Sequence, residues 1–439
     1  MTSKPLAKQI TNFDFYPEIY VYPSPRTYSP VSEFNFDNIE FTQDINVYVH
    51  IPFCKQICTY CGYLKVVDSK GTLISQYVDA LIKEMYMYKD ILQNANIKTL
   101  HFGGGTPSLL SSFELASIMT TLVNINPNIL NTADEISIET TPELVELKKF
   151  SEYKNLGINR VSMGLQTLID DEIKLCKRHN SSAISLRAIE TLRKVGISNI
   201  VIDLMIGIEG QTLKSFEESV RILLKYKPET VELYAVGLMP NTLLGIKKSS
   251  LKNMMTTKEI YQCHDIGREL FLNSGYEQDC HNRYIIPNKG SFFQEDYVFA
   301  GLSLIGFGAG ARTYAKSVHY RNNYYSKNHM NSIVEYIDDV KSNILPVKSA
   351  TFLNSDEKMR QYIIYNIESL NKKEFKRNFN ISLREQFPAL YSELIELNLA
   401  QEDWQRIWLT TKGLSFRDLI CQQIFSDKVK QIEEEYRPK

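Results

Sequence analysis

Residues 45–63 read INVYVHIPFCKQICTYCGY. The segment 45–51 is short and rich in Val, Ile and Tyr, which predicts a strand. Directly after it, Cys54, Cys58 and Cys61 crowd into eight positions. Beyond them, 73–94 carries apolar residues at helical spacing. Strand, cysteine loop and helix make the first unit of an α/β chain.

Outward from this unit, strand-like runs recur at 97–103, 135–139, 160–164, 199–205 and 231–236, with helical patterns between them at 112–123, 142–156, 182–195 and 213–224. This alternation predicts a parallel sheet, because a parallel strand must be reached through a crossover that is usually a helix. Six such units fit a partial TIM-like barrel or an open doubly wound sheet, and both place ligands at the C-terminal strand ends. Those ends are polar or Gly-rich here: 50–61 after the first strand, 103–108 after the second, then Glu139, Gln166, Asp203 and 234–240. They are expected to face one mouth.

The patterns weaken across 247–297, where one helix is expected at 257–272, and a Gly-rich segment, GLSLIGFGAGAR, follows at 301–312. From about 346 the chain reads as a small helical unit, with helices at 355–369, 383–397 and 412–425 and one short strand at 406–410. The expected division is an N-terminal extension (1–40), a barrel with a substrate-site extension (41–345) and a C-terminal domain (346–439).

With 439 residues, 43% of them hydrophobic, the chain has enough apolar material for one large core and a smaller one. Its 50 Lys and Arg nearly balance 51 Asp and Glu, which removes the electrostatic reason to bind nucleic acid or an anionic membrane and favours a small-molecule substrate. The stretch 1–20 holds no apolar core of signal-peptide length. No later stretch reaches the roughly 20 apolar residues of a membrane span, so a cytoplasmic protein is expected.

Seven cysteines are an odd number, and the spacing of the clustered three suits ligation better than a secreted disulfide framework. Cys176, Cys263, Cys280 and Cys421 are scattered and read as small buried hydrophobes. Most 4Fe-4S clusters use four cysteines. Three would leave one iron open to a second small molecule. The competing reading is a zinc knot built from the three thiols plus His50 or a nearby side chain, but structural zinc sites usually pair ligands from two separated knuckles, and no second CxxC follows.

YVHIPFC at 48–54, continuing into CTYC at 58–61, resembles the signature of the radical S-adenosylmethionine (SAM) superfamily, in the HemN-like family of oxygen-independent coproporphyrinogen III oxidases. The similarity continues in HFGGGTPS (101–108), SIE (137–139), NRVSMGLQ (159–166), Arg178, DLMIG (203–207) and LTTKG (409–413), so it covers most of the chain. The resemblance implies a partial (β/α)6 radical SAM barrel with a small, mainly helical, winged-helix-like C-terminal domain.

It also implies roles. Cys54, Cys58 and Cys61 would hold a 4Fe-4S cluster whose open iron takes SAM; one electron then breaks a carbon–sulfur bond to give a 5'-deoxyadenosyl radical, which takes hydrogen from the substrate. Gly103, Gly104, Gly105 and Thr106 would let backbone approach the methionyl end of SAM. Glu139 and Asp203 would bind ribose hydroxyls or balance a sulfonium or ammonium. Gln166 and Arg178 would complete the pocket, Val236 and Gly237 would line it, and Tyr48 would pack beside cluster or SAM. In this family a second SAM can sit beside the first, and Gly308 and Ala309 would wall that second site or the substrate pocket. One SAM or two are thus implied, with an electron donor such as flavodoxin or ferredoxin.

The coproporphyrinogen oxidases resemble CxxxCxFCxC followed by Asn-Lys, whereas Gly62-Tyr63-Leu64-Lys65 follows Cys61 here. This departure leaves radical initiation intact and shifts the expected substrate to a non-coproporphyrinogen branch. The leading expectation is C-methylation or cyclopropanation of the class C type, with a second SAM as carbon donor. The alternatives are oxidative decarboxylation of a porphyrinogen propionate, radical opening of haem, and a non-enzymatic haem chaperone using His179, His264, His281 or His319 as axial ligand. A nucleic-acid reader built on the C-terminal helices is disfavoured by their mixed charges.

Overall fold

In a computed structural model, which describes all residues except 1–5, 13–18, 20, 69–70, 240–241, 248–250, 252 and 436–439, the six strand-like runs all become strands. These are β1 (Asp44–Ile51), β2 (Asn96–Gly104), β3 (Glu135–Thr140), β4 (Arg160–Gln166), β5 (Asn199–Ile206) and β6 (Thr230–Ala235). They pair in sequence order, each parallel to the next. The helices between them start on side-chain caps: Ser111 and Glu114 form a capping box before Ser112–Ile125, and Ser181 caps Ser182–Val195, which ends at Gly196 with φ +82°. The fold is the partial (β/α)6 barrel expected.

Part of the Gly-rich segment 301–312 is a strand. Ser303–Phe307 forms β7, parallel to β1 and hydrogen-bonded along its outer edge. Gly306 weakens the strand pattern in the sequence, yet the position needs it: a Cβ there would come within 2.3 Å of the Arg312 carbonyl oxygen. Three antiparallel strands continue from β7, namely β8 (Arg312–Tyr314), β9 (Val318–Asn322) and β10 (Val347–Phe352). With short strands at both edges, the sheet counts 13 strands among the described residues.

The helix expected over 73–94 stops at Met87, and a separate turn spans Lys89–Leu92. Between them Tyr88 is fully buried against Phe36 and Phe307, with its hydroxyl 3.2 Å from that of Tyr320. Tertiary packing overrides the helical period there.

The C-terminal part holds the expected helices, among them Ser355–Asn366, Pro388–Glu396 and Arg417–Ile424. It also holds a three-stranded antiparallel sheet where one strand was expected, Ser369–Asn371 and Ala400–Glu402 flanking Arg406–Leu409. Its separate core takes in Leu6 and Tyr22 from the N-terminal segment. Among the described residues no helix is long and apolar enough to cross a membrane.

The barrel interior is closed at the end where the strands begin. Arg160, 2% exposed, lies between Glu135 (3.7 Å) and Glu232 (3.6 Å) with the Phe292 ring 4.0 Å from its guanidinium. Gln294 donates to the Val47 carbonyl oxygen. The cysteine loop lies at the opposite end, where the strands finish.

Candidate active site at the barrel mouth

The cysteine loop is pinned at its base by two hydrogen bonds, Cys54 N–H to Val66 O at 2.9 Å and Val66 N–H to Pro52 O at 2.7 Å. Phe53 is fully buried, edge-on to Tyr77. Lys65 crosses the loop and donates from Nζ to the carbonyls of Cys61 (2.6 Å) and Tyr63 (3.1 Å). The three thiols are free and half-buried. They lie close enough for the charge on one to oppose ionisation of the next. Burial pushes the Cys54 thiol up to about 12 and raises that of Cys61. Thiols so placed become thiolates only when a strong positive charge, such as that of bound iron, sits among them.

This donor set fits a cluster better than a zinc ion. No group of three or more His, Cys, Asp or Glu side chains among the described residues is arranged to hold a single metal ion. His50, the fourth ligand of a zinc knot, is committed elsewhere. Its Nε2–H donates to Leu64 O (3.3 Å), so Nδ1 accepts from the Tyr48 hydroxyl (2.9 Å). Burial lowers its pKa to about 4, so the ring is neutral.

Opposite the thiols, the Gly103-Gly104-Gly105 turn is tied to the loop base: Gly105 N–H donates to Ile51 O and Thr106 N–H to Phe53 O. The Thr106 hydroxyl lies 3.6 Å from the Cys54 sulfur. Gly104 has φ +119°, and a Cβ there would meet the His50 ring at 2.5 Å; at Gly103 it would meet Glu139 and Tyr48 at 2.8 Å. Gly104→Ala is expected to cost about 1–3 kcal/mol of stability from backbone strain alone, with added loss from the ring contact. A lowered thermal midpoint and reduced iron uptake on reconstitution would report it, and an unchanged midpoint would refute it.

Glu139 ends β3 with its carboxylate in the mouth. Oε2 accepts from the Gly104 amide (3.0 Å) and Oε1 from His101 Nε2 (3.2 Å), whose Nδ1 pairs with the Ser137 hydroxyl. Burial acts to raise the Glu139 pKa, but these two donors hold it below the usual carboxylate range. Asp203 is driven the other way, raised by burial and then by the neighbouring charge of Glu139. Two carboxyls with opposed shifts share one mouth, an arrangement common at functional sites. Gln166 ends β4 with φ +69°, a left-handed conformation uncommon for a residue with a Cβ, at the point where the β4–β5 register slips.

The Arg178 guanidinium is engaged by the protein itself. Its Nη1 donates to the Tyr60 hydroxyl (3.1 Å), Nη2 to Gly164 O (2.7 Å) and Nε to Asn180 (3.4 Å), so the guanidinium fixes the aromatic residue of the cysteine loop. Tyr60, Cys176, Ile208 and Val236 line a small crevice beside the thiols, and Gly237 lies exposed next to it. Arg178→Met is expected to free the loop and lower retained iron severalfold, whereas Tyr60→Phe loses one hydrogen bond, about 1 kcal/mol. Iron per chain after gel filtration distinguishes them; equal retention would remove Arg178 from this positioning role.

Tyr48 lies in the mouth, stacked on His101 with ring centroids 5.7 Å apart. Gly308 and Ala309 do not reach it. Their amides donate to Glu84 and to the Tyr77 hydroxyl, both at 2.8 Å, and Ala309 has no exposed surface. They form the floor beneath the loop rather than a wall of an open pocket. The candidate haem ligands are scattered: His264 and His319 are buried, His281 pairs with Glu368 and His179 is exposed. His101 and Tyr60 were missed in the sequence, although His101 opens the HFGGG run and Tyr60 sits between two of the cysteines.

Residues 48–223 match the family model described as the Radical SAM superfamily. The chain is 33% identical over 234 residues to the heme chaperone HemW of Buchnera aphidicola subsp. Schizaphis graminum, a match spanning 53% of this chain and 61% of that one. To the Bacillus subtilis heme chaperone HemW it is 26% identical over 385 residues, spanning 84% and 96%. The Escherichia coli coproporphyrinogen III oxidase HemN, a radical SAM enzyme, superposes with a TM-score of 0.79 over 94% of this chain and 98% of its own at 20% identity, a likeness of fold.

Proposed function

This chain belongs to the radical SAM superfamily, among its HemN-like members, and from that premise we propose that it reductively cleaves SAM at a 4Fe-4S cluster held by Cys54, Cys58 and Cys61 to modify a tetrapyrrole-type substrate at the barrel mouth. The observation that carries this reading is the single hydrogen-bonded unit formed by the three-thiol loop, the Gly103–105 turn and the Glu139 carboxylate. When bound, the cluster and SAM supply the electron and the 5'-deoxyadenosyl radical.

The chain's residues supply position and charge. Glu139, kept ionised by His101 and the Gly104 amide, would balance the positive charge of SAM. Arg178 holds the Tyr60 ring in place beside the thiols. Asp203 and Gln166 would face the ribose. Tyr48 and His101 would exclude water between SAM and substrate. A flavodoxin or ferredoxin would deliver the electron.

The tetrapyrrole class is supported by the two relatives, both heme chaperones. Methyl transfer from a second SAM, the leading expectation from the sequence, draws no such support, and the buried amides of Gly308 and Ala309 are poorly placed to hold one. The haem-chaperone reading rests on the same names and differs in outcome. Anaerobic reconstitution followed by assay with methyl-labelled SAM and either coproporphyrinogen III or hemin separates them. Formation of 5'-deoxyadenosine with carbon dioxide release or loss of haem absorbance supports the proposal. Label in the product would replace it with methylation, and hemin binding without 5'-deoxyadenosine would replace it with a chaperone.

A further inference from the structure

Tyr48 in β1 pairs with Gly306 in β7, the antiparallel register sets Arg312 of β8 opposite Gly306, and Arg312 pairs in turn with Arg321 of β9. Residues paired across neighbouring strands point to the same face of a sheet, so the two arginines stand side by side on the face that carries Tyr48. Gly306, having no side chain, lets the Arg312 backbone pack directly against it, one strand away from Tyr48. The Arg312 charge acts on the phenols of Tyr28, Tyr48, Tyr63 and Tyr314, which places it among them.

Two like charges directly opposite each other destabilise a sheet, and elsewhere three buried arginines are neutralised while a fourth, Arg178, is satisfied by hydrogen bonds. Arg160, Arg283 and Arg417 each lie against two or more carboxylates. Arg312 and Arg321 are half-buried, and neither has a carboxylate within the 4.0 Å of an ion pair among the described residues. Arg321 instead lies over the Tyr324 ring at 4.1 Å and near that of Tyr28 at 6.0 Å. Three buried polar atoms around this pair have no hydrogen-bond partner: Arg321 Nε, the Tyr28 hydroxyl and His319 Nδ1. Unsatisfied polar atoms are rare in folded proteins, and such a concentration beside an uncompensated double positive charge calls for a missing anion.

We infer that Arg312 and Arg321 form the anion subsite of the substrate chamber, gripping a carboxylate whose flat or apolar body rests on the surrounding tyrosine rings. Guanidinium forks match carboxylate geometry in pairs. The aromatic walls favour a substrate with an extended π or hydrocarbon frame over a small free anion. The subsite lies one glycine-width from Tyr48, so a substrate held there presents its carbon frame toward the mouth. This deepens the proposed function, resting on its placement of the substrate, and uses no cluster residue.

The test is a spectral titration of the full-length reconstituted protein with hemin and, separately, with hemin dimethyl ester, alongside SAM-binding stoichiometry. The free acid should bind about tenfold or more tightly than the ester, the loss expected for an uncompensated charge-assisted contact. Arg312→Met and Arg321→Met should each erase that preference, and Arg312→Lys should restore part of it. Equal affinity of acid and ester in the wild type, or no binding of the acid, overturns the inference whatever the variants do. A fall in SAM stoichiometry in Arg312→Met with the acid preference intact would assign the arginines to the carboxylate of a second SAM and overturn it as well. SAM cleavage measured on the same preparation reports the cluster reading independently, so failure of one is distinguishable from failure of the other.

Discussion

Alanine at any one of Cys54, Cys58 or Cys61 is expected to reduce 5'-deoxyadenosine formation to the uncatalysed background, with iron and sulfide content falling in parallel. The loop offers no substitute ligand. His50 spends both ring nitrogens on Tyr48 and Leu64, and the nearby Cys176 is 1% exposed, packed with Met205 and Ile208. Removing one thiol would also leave an iron open to solvent at a second corner. The backbone need not change, since the hydrogen bonds that pin the loop run through the amides of Cys54 and Val66. Circular dichroism and the thermal midpoint of the metal-free protein should therefore match wild type. Cys280→Ala, on the hairpin at the far edge of the sheet, should keep full iron content. Retained SAM cleavage in any of the three loop variants would refute the cluster assignment.

Glu139→Gln is the second large effect. The amide keeps the shape of the side chain and can still accept the Gly104 N–H bond, but it removes the negative charge that His101 and Gly104 hold in place. A charge-assisted hydrogen bond contributes about 1.5–3 kcal/mol, so SAM affinity should fall by about tenfold to a hundredfold while iron content stays near wild type. A rise in KM for SAM with the cluster intact is the signature of a ligand contact. If the only change were a lower thermal midpoint, Glu139 would be a structural brace for the glycine turn and nothing more.

The sequence made the six parallel strands legible because each is a compact Val/Ile/Tyr run flanked by helical periods. It could not reveal β7, since Gly306 interrupts the pattern for a reason that exists only in space, the close approach of Arg312 from the next strand. The helix break at Tyr88 was equally invisible, being set by Phe36, Phe307 and Tyr320 from distant parts of the chain. At the mouth, the thiols and Glu139 were readable as residue types at strand ends. Their connectivity was not: that Arg178 would serve Tyr60, or that Gly308 and Ala309 would turn their amides to Glu84 and Tyr77, depends on side chains 100 or more positions away. The Arg312–Arg321 pair came into view only through the β8–β9 register.

The central claim is a three-thiol cluster with one iron open to SAM, and the most direct measurement is electron paramagnetic resonance of the anaerobically reconstituted, dithionite-reduced protein before and after SAM is added. A 4Fe-4S signal whose g-values shift on addition of SAM is the predicted result. An absent cluster signal, or one left unchanged by saturating SAM, would contradict it.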